Sequence, residues 1–105
     1  MDWIAELRQA FNELEAGGRA RVSFSARPGT VGELGREFNA LADGLEKPPA
    51  ADARERIHRL RNQLAGILAA LHVLRETAEL SAEERATLGQ VLEEGKRLES
   101  RLRPG

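Results

Sequence analysis

The 105-residue sequence contains no cysteine and no tyrosine, and only two histidines, one tryptophan and three phenylalanines. Without cysteine there is neither a disulfide framework nor a thiolate metal site, and two histidines are too few to hold a structural zinc by themselves. We therefore expect no metal and no other cofactor. Because aromatic residues are scarce, the apolar content is mainly leucine, isoleucine, valine and alanine, which is typical of helix–helix seams.

The sequence also lacks an excess of either charge and a long apolar run. Its 16 basic and 17 acidic residues give a net charge of −1, so we expect a protein partner and no binding to nucleic acid. The most apolar stretch, residues 64–74, is shorter than the roughly 20 residues that span a membrane, and it contains His72. No basic segment precedes an apolar block at the start, which predicts a cytoplasmic protein without a signal peptide or a direct membrane span.

Apolar residues recur every three or four positions in four stretches, which predicts an all-α fold. The first stripe, Ile4–Leu14, ends at Gly17-Gly18, and Asp2 is its predicted N-cap. The second stripe, Val31–Leu45, ends before Pro48-Pro49, because the residue before a proline is pushed out of helical geometry. These two helices are similar in length.

The segment between the first two helices, residues 17–30, carries alternating apolar residues and a Pro28-Gly29 turn signal, so we expect a docked connector. About fourteen extended residues can run back along the whole first helix, which is roughly 20 Å long. An antiparallel hairpin needs only a few linking residues, so this connector favours a parallel helix pair.

The longest stripe of the sequence, Ile57–Leu74, predicts a third helix. The pattern breaks at Thr77–Ser81, and Ser81 followed by Glu84 three residues later predicts a capping box at the start of a fourth helix. Because the connection between these helices is short, we expect them to form an antiparallel hairpin.

Two structural units are therefore predicted: residues 1–47 as the parallel pair, residues 48–53 as a Pro/Ala linker, and residues 54–103 as the hairpin. Neither pair covers its own apolar stripe, because a contact between two helices leaves one flank of each seam in water. Self-association is the simplest remedy. We predict a homodimer in which each unit completes a four-helix bundle.

The first 46 residues resemble a HAMP domain, the module that carries conformational signals from bacterial membrane receptors. Besides the order of helix, connector and helix, the resemblance rests on seven positions: Gly18, Val22, Gly32, Leu34, Phe38, Asn39 and Leu45. It departs from the family at Gly29-Thr30, where an acidic pair is usual, and in lacking a proline near the start of the first helix. The resemblance implies helices that set the packing of the dimer.

Residues 54–103 resemble the dimerisation and histidine-phosphotransfer (DHp) domain of sensor histidine kinases, through the string HRLRNQLAGI that begins at His58. If Ile57 and Leu60 occupy the seam, His58 lies beside it and faces solvent, where an imidazole can accept a phosphoryl group. Asn62 follows one turn later on the same face. The resemblance implies two-component signalling, with His58 as phosphoacceptor, Asn62 orienting water for dephosphorylation, and a response-regulator receiver domain as partner.

Three departures from the family bear on catalysis. Arg59 stands where the family has an acid that accepts the ring proton during phosphorylation by ATP, and Gln63 replaces a proline that bends the helix. The 105 residues contain no Gly-rich nucleotide loop. We therefore expect a partial histidine kinase that is not self-sufficient, works with an ATP-binding domain in trans, and is free in the cytoplasm or the cytoplasmic part of a membrane receptor.

Each functional feature also has an ordinary structural interpretation. A surface histidine is usually just solvated, and we interpret His72 in this way. The arginines around His58 either attract the acidic pocket of a receiver domain or form a charged surface balanced by Asp52 and Glu55. These arginines are Arg54, Arg56, Arg59 and Arg61. The alternative function is a catalytically silent coiled-coil scaffold, for dimerisation or for sequestering a partner.

Overall fold

The computed structural model describes residues 3–46 and 53–102 and contains four α-helices and one short 3-10 helix in these ranges. The α-helices are α1 (Trp3–Glu15), α2 (Gly29–Glu46), α3 (Ala53–Thr77) and α4 (Ala82–Arg101), and the 3-10 helix is Ser23–Ala26. The described residues include no β-strand, which confirms the predicted all-α fold class. Among these helices, none has the length and apolar content that crossing a bilayer requires.

Two helix ends are formed as the sequence predicts. After α1, Gly17 has a φ of +82°, a conformation that favours glycine, and its N–H donates to the carbonyl oxygen of Leu14 at 3.0 Å. At the start of α4, Ser81 and Glu84 form the capping box, each side chain accepting from the other residue's N–H at about 3 Å. Asp2, Pro48-Pro49 and residues 48–52 of the predicted linker lie outside the described residues.

The connector between α1 and α2 is docked along α2, as predicted. The backbone N–H of Val22 donates to Oδ1 of Asn39 at 2.9 Å, and Nδ2 of Asn39 donates to the carbonyl oxygen of Val22 at 3.2 Å. Nearby, the Arg21 guanidinium pairs with Asp43 at 2.6 Å and with Glu46 at 2.9 Å. One amide side chain thus satisfies both polar groups of a buried connector residue.

Two glycines of α2 allow the connector to lie directly against the helix. A Cβ added to Gly35 would come within 2.8 Å of the Ser25 backbone and 2.9 Å of the Phe24 ring, and one added to Gly32 would overlap the carbonyl oxygen of Arg27. Backbone atoms cannot give way at such distances as a flexible side chain can. These glycines therefore set how closely the connector and α2 approach.

Aromatic contacts fix the direction of α1 relative to α2. Trp3, at the start of α1, packs edge-on against Phe24 with ring centroids 5.8 Å apart, and Phe24 lies over Gly35 in the first half of α2. Further along, Phe11 packs against Phe38 with centroids 5.1 Å apart. The starts of both helices are therefore at the same end of the molecule, and the two helices run in the same direction.

The helices of the second half run antiparallel. Leu68 in the middle of α3 lies against Gly95 of α4, and the Arg85 side chain near the start of α4 donates to the carbonyl oxygen of Arg75 near the end of α3.

A single apolar core joins all four helices and the connector, with α2 packed against α3 and α1 packed against α4. The stripe of α3 is buried inside its own chain; it comprises Leu60, Leu64, Ile67, Leu71 and Leu74. Each helix pair taken alone leaves one flank of its stripe uncovered, but the two pairs cover each other in one chain. Among the described residues, the apolar stripes are therefore covered within a single chain. The homodimer stays a prediction.

Candidate functional site

The candidate site lies on α3, whose two faces differ sharply. The face that carries the leucine stripe is buried, whereas the opposite face is exposed over the length of the helix. We call this the outer face of α3, and it comprises His58, Asn62, Ala65, Ala69, His72, Val73 and Glu76. Because the apolar residues of the stripe recur with the period of an α-helix, they lie on one side of it. The outer-face residues lie on the opposite side, away from the core.

His58 and Asn62 are both exposed and stand one helical turn apart on this outer face. Leu60, which lies between them in sequence, is buried, and Ile57 is half-buried. The structure thus places the two predicted site residues on the same side of α3 and away from the core, which is the exposure that the sequence pattern predicts. His72, interpreted as a surface residue, is also exposed.

The four arginines around His58 do not form one exposed cluster. Arg54 and Arg59 are exposed, but Arg56 donates from its guanidinium to the carbonyl oxygen of Gly44 at 2.8 Å. Arg61 is half-buried, and its Nε is buried without a hydrogen-bond partner. Two arginines therefore remain at the surface beside His58, while Arg56 ties α3 to the end of α2.

The outer face also carries an unusual apolar residue. Val73 is 55% exposed and is the one large apolar side chain with such exposure among the described residues. It lies on α3 about 22 Å from His58 along the helix axis, at 1.5 Å per residue. Ala65 and Ala69 lie between them, also exposed, so the outer face is polar at its two ends, near His58 and Glu76, and mainly apolar around Ala69.

A second polar site, between α1 and α4, was not predicted from the sequence. Glu94 is only 9% exposed, and its carboxylate accepts from the Asn12 amide nitrogen at 3.0 and 3.2 Å when that amide is oriented with its nitrogen towards Glu94. The carboxylate of Glu15 lies in the same interface, 3.8 Å from Nε of Arg97. This contact joins the two halves of the chain.

Burial raises the pKa of Glu94, and the negative charge of Glu15 raises it further. The positive charges of Arg97 and Arg8 oppose this shift. A signal for this residue was present in the sequence, because Glu94 follows Val91 by three residues and precedes Leu98 by four, within the apolar stripe of α4. A charged residue at such a position is either buried or marks a gap in the stripe.

An open groove of about 770 Å³ runs beside this interface, lined by residues 3–12 of α1 and 83–87 of α4. Its side chains are of mixed charge, and neither His58 nor His72 lines it. In the described parts of the chain, no three His, Asp or Glu side chains are grouped so that they could hold a metal ion.

The chain has no match among protein-family models and no significant match among curated proteins or solved structures.

Proposed function

We propose that this chain is a two-component signalling module, in which a HAMP-like unit is joined to a DHp-like hairpin that offers His58 and Asn62 to a response-regulator receiver domain. The observation that carries the proposal is the exposure of both side chains, one turn apart, on a helix whose opposite face is fully packed. A rigid helix holds two groups at fixed spacing for a reaction on a partner. The proposed location is the cytoplasm.

The connector supports the HAMP-like part of the proposal. Three of the positions on which the resemblance rests have defined contacts: Gly32 admits the Arg27 carbonyl, Phe38 packs on Phe11, and Asn39 binds both backbone groups of Val22. These contacts hold α1 and α2 in parallel through the connector. They give a physical reason for those residue types at those positions.

The proposed chemistry takes place on an aspartyl phosphate or on the histidine itself. In phosphotransfer, an imidazole nitrogen and a receiver carboxylate exchange a phosphoryl group: one bond to phosphorus forms as the other breaks. In phosphatase assistance, the Asn62 amide positions a water whose oxygen bonds to phosphorus. The P–O bond to aspartate then breaks, leaving a carboxylate and inorganic phosphate, and the proton passes to solvent.

Arg59 favours the second of these reactions. It is exposed and adjacent to His58, where the resembled family has a proton-accepting acid. A guanidinium stays protonated and cannot take the ring proton. Water activation by Asn62 needs no such acceptor, so it is the activity we expect to measure. The exposed charges of Arg54 and Arg59 favour encounter with the acidic phosphorylation pocket of a receiver domain, more strongly at low salt.

The test measures the lifetime of the aspartyl phosphate on receiver domains charged with acetyl phosphate. We expect the wild-type chain to shorten this lifetime and Asn62→Ala to remove most of the effect. His58→Gln separates the two reactions, because it abolishes phosphotransfer to the histidine but leaves an Asn62-dependent hydrolysis. The matched controls are His72→Gln, an exposed histidine on the same face, and Gln90→Ala, an exposed amide on α4.

A catalytically silent scaffold is the second candidate, and Arg59 is the observation that favours it. A scaffold binds the receiver domain or another partner without changing its phosphate. An unchanged phosphate lifetime with wild type, Asn62→Ala and His58→Gln would therefore exclude the first proposal and leave the scaffold.

A further inference from the structure

The outer face of α3 is a continuous surface that the chain itself leaves uncovered. Its inner stripe is used in the core, so a second copy cannot reach it while the helices stay packed. The exposed apolar part of the outer face is centred on Ala69 and includes Val73, at 55% exposure. A large apolar side chain with this exposure beside small residues is suited to contact with another helix.

The two ends of this surface carry opposite charges. Near the start of α3, Arg54 and Arg59 are exposed, and His58 lies between them. Near its end, Glu76 is exposed on α3, and Glu79 is exposed in the short connection that follows the helix. Glu55 near the start and the half-buried Arg75 near the end weaken this polarity without reversing it, because the start has two exposed arginines and the end two exposed glutamates.

Opposite charges at the two ends of one helix face are self-complementary in one orientation only. In an antiparallel pair related by a two-fold axis, the basic end of each copy meets the acidic end of the other. In a parallel pair, like charges meet at both ends and repel. The charge pattern therefore selects a second copy of this chain, docked antiparallel, as the occupant.

The residue spacing matches such an axis passing close to Ala69. Gly66 is three residues before it and Val73 four residues after, on the same flank of the helix, so Val73 of one copy lies over Gly66 of the other. Gly66 has room for this, because even an added Cβ would have its nearest neighbour 3.7 Å away, at Glu37. Asn62 and Glu76 are seven residues before and after Ala69, so each amide faces a carboxylate.

We infer that two copies of this chain associate antiparallel through the outer face of α3, with Ala69 at the two-fold axis and Val73 over Gly66. The dimer does not use the leucine stripe. It covers Asn62, so self-association and action on a receiver domain exclude each other; this last consequence alone rests on the proposed function.

The first test exchanges charges between the two ends. One variant is Arg54→Glu with Arg59→Glu, and the other is Glu76→Arg with Glu79→Arg. Arg54→Glu and Glu76→Arg agree with the dipole of α3, which favours acids near a helix start and bases near its end. Glu79→Arg places a base before the start of α4, so circular dichroism checks that the helices of this variant are retained. In sedimentation equilibrium at low salt, we expect each variant alone to associate about tenfold more weakly than wild type. An equimolar mixture of the two restores association, because opposite charges then meet at both ends.

The second test acts at the centre. Ala69→Arg places two like charges at the axis, where each copy meets its own equivalent residue, and we expect a monomer at every concentration measured. The matched control is Ala40→Arg, also an exposed alanine but on α2, which should associate as wild type does. Circular dichroism of all variants checks that the helices are retained.

Two results would overturn the inference. One is a wild-type chain that stays monomeric at its highest soluble concentration, and the other is a dimer that neither Ala69→Arg nor the charge exchange affects. Neither result alters the phosphate-lifetime test of Asn62, so the two proposals fail separately.

Discussion

The two contacts that join the halves of the molecule are built on different physics. Where α2 meets α3, the contact is a steric fit: Cδ2 of Leu60 would lie only 2.6 Å from a Cβ on Gly44, so the leucine uses the space that the glycine leaves. Next to it, Arg56 donates to the carbonyl oxygens of Gly44 and Leu45 at 2.8 and 3.4 Å. Shape and a satisfied helix end hold this side together.

Where α1 meets α4, the contact includes a buried carboxylate. Glu94 accepts from Asn12, with Glu15 and Arg97 close by. A charge at such a site has a desolvation cost that hydrogen bonding only partly offsets. Packing of α2 on α3 therefore depends on side-chain size, whereas packing of α1 on α4 also depends on the ionisation of Glu94.

The largest effect is expected for Leu64→Asp, which disrupts both contacts at once. Leu64 is 0% exposed in the common core, and Leu64→Asp places an unpaired charge there. We expect a loss above about 4 kcal/mol, which is most of the stability of a chain at the lower end of the ordinary range of about 5–15 kcal/mol, measured by urea denaturation and circular dichroism. The control Ala86→Asp changes an exposed residue of α4 and should cost within about 0.5 kcal/mol.

The same variant also decides what covers the stripe. If Leu64→Asp stayed folded and lost only self-association, the stripe would lie between two copies, as the homodimer predicted from sequence requires. The intramolecular core would then be wrong.

The helices were predictable because their signals are local. The capping box at Ser81 and the stop at Gly17-Gly18 depend on residues within one turn, and the docked connector depends on its own apolar residues. What covers each stripe was not predictable, because periodicity identifies the buried face but not its partner. A second copy of the chain and the other half of the same chain can cover the buried face equally well.

The candidate site likewise has some features that the sequence predicts and others that it does not. The exposure of His58 and Asn62 follows from their spacing relative to Leu60 and Leu64. The contact of Arg56 does not follow from sequence spacing. Whether its long side chain reaches solvent or a neighbouring carbonyl oxygen depends on where α2 ends. Glu94 was visible as an acid within an apolar stripe, but its partner Asn12 lies on a helix whose position is tertiary information.

Leu60→Ala tests the steric contact between α2 and α3. Leu60 is 3% exposed, so its truncation removes buried methyl groups and leaves a cavity beside Gly44. We expect a loss of about 2–4 kcal/mol in the free energy of unfolding, with no dependence on pH. The control is Gln90→Ala, the truncation of an exposed side chain on α4, which should cost under about 0.5 kcal/mol. Equal costs for the two would contradict the packing of Leu60.

A smaller effect tests the fit at Gly44 itself. In wild type, Gly44→Ala gains helix propensity but forces Leu60 to shift, so we expect a net change near zero or a loss below about 1 kcal/mol. With Leu60→Ala already present, the same change meets no clash and should stabilise by up to about 1 kcal/mol. The double-mutant cycle from chemical denaturation gives the coupling directly. Additive effects would mean that the two side chains do not touch.

The electrostatic side is tested by Glu94→Gln, whose amide oxygen still accepts from Asn12. Burial and Glu15 raise the folded-state pKa of Glu94 above the ordinary value of 4.5, whereas the unfolded chain keeps that value. Folding therefore favours the protonated form. The stability that this proton supplies is complete below the unfolded pKa and is lost as the pH rises through the folded pKa.

Wild type should consequently gain stability relative to Glu94→Gln as the pH falls from neutral towards about 4.5, and glutamine should be the more stable at neutral pH. The measurement is the difference in unfolding temperature between the two proteins across this range, in which titrations common to both cancel. Glu15→Gln provides the check on cause, because removing that negative charge lowers the pKa of Glu94 and should flatten the difference. A difference that is constant with pH would show that Glu94 ionises alike in the folded and unfolded chain, and the two contacts would then not differ in their response to pH.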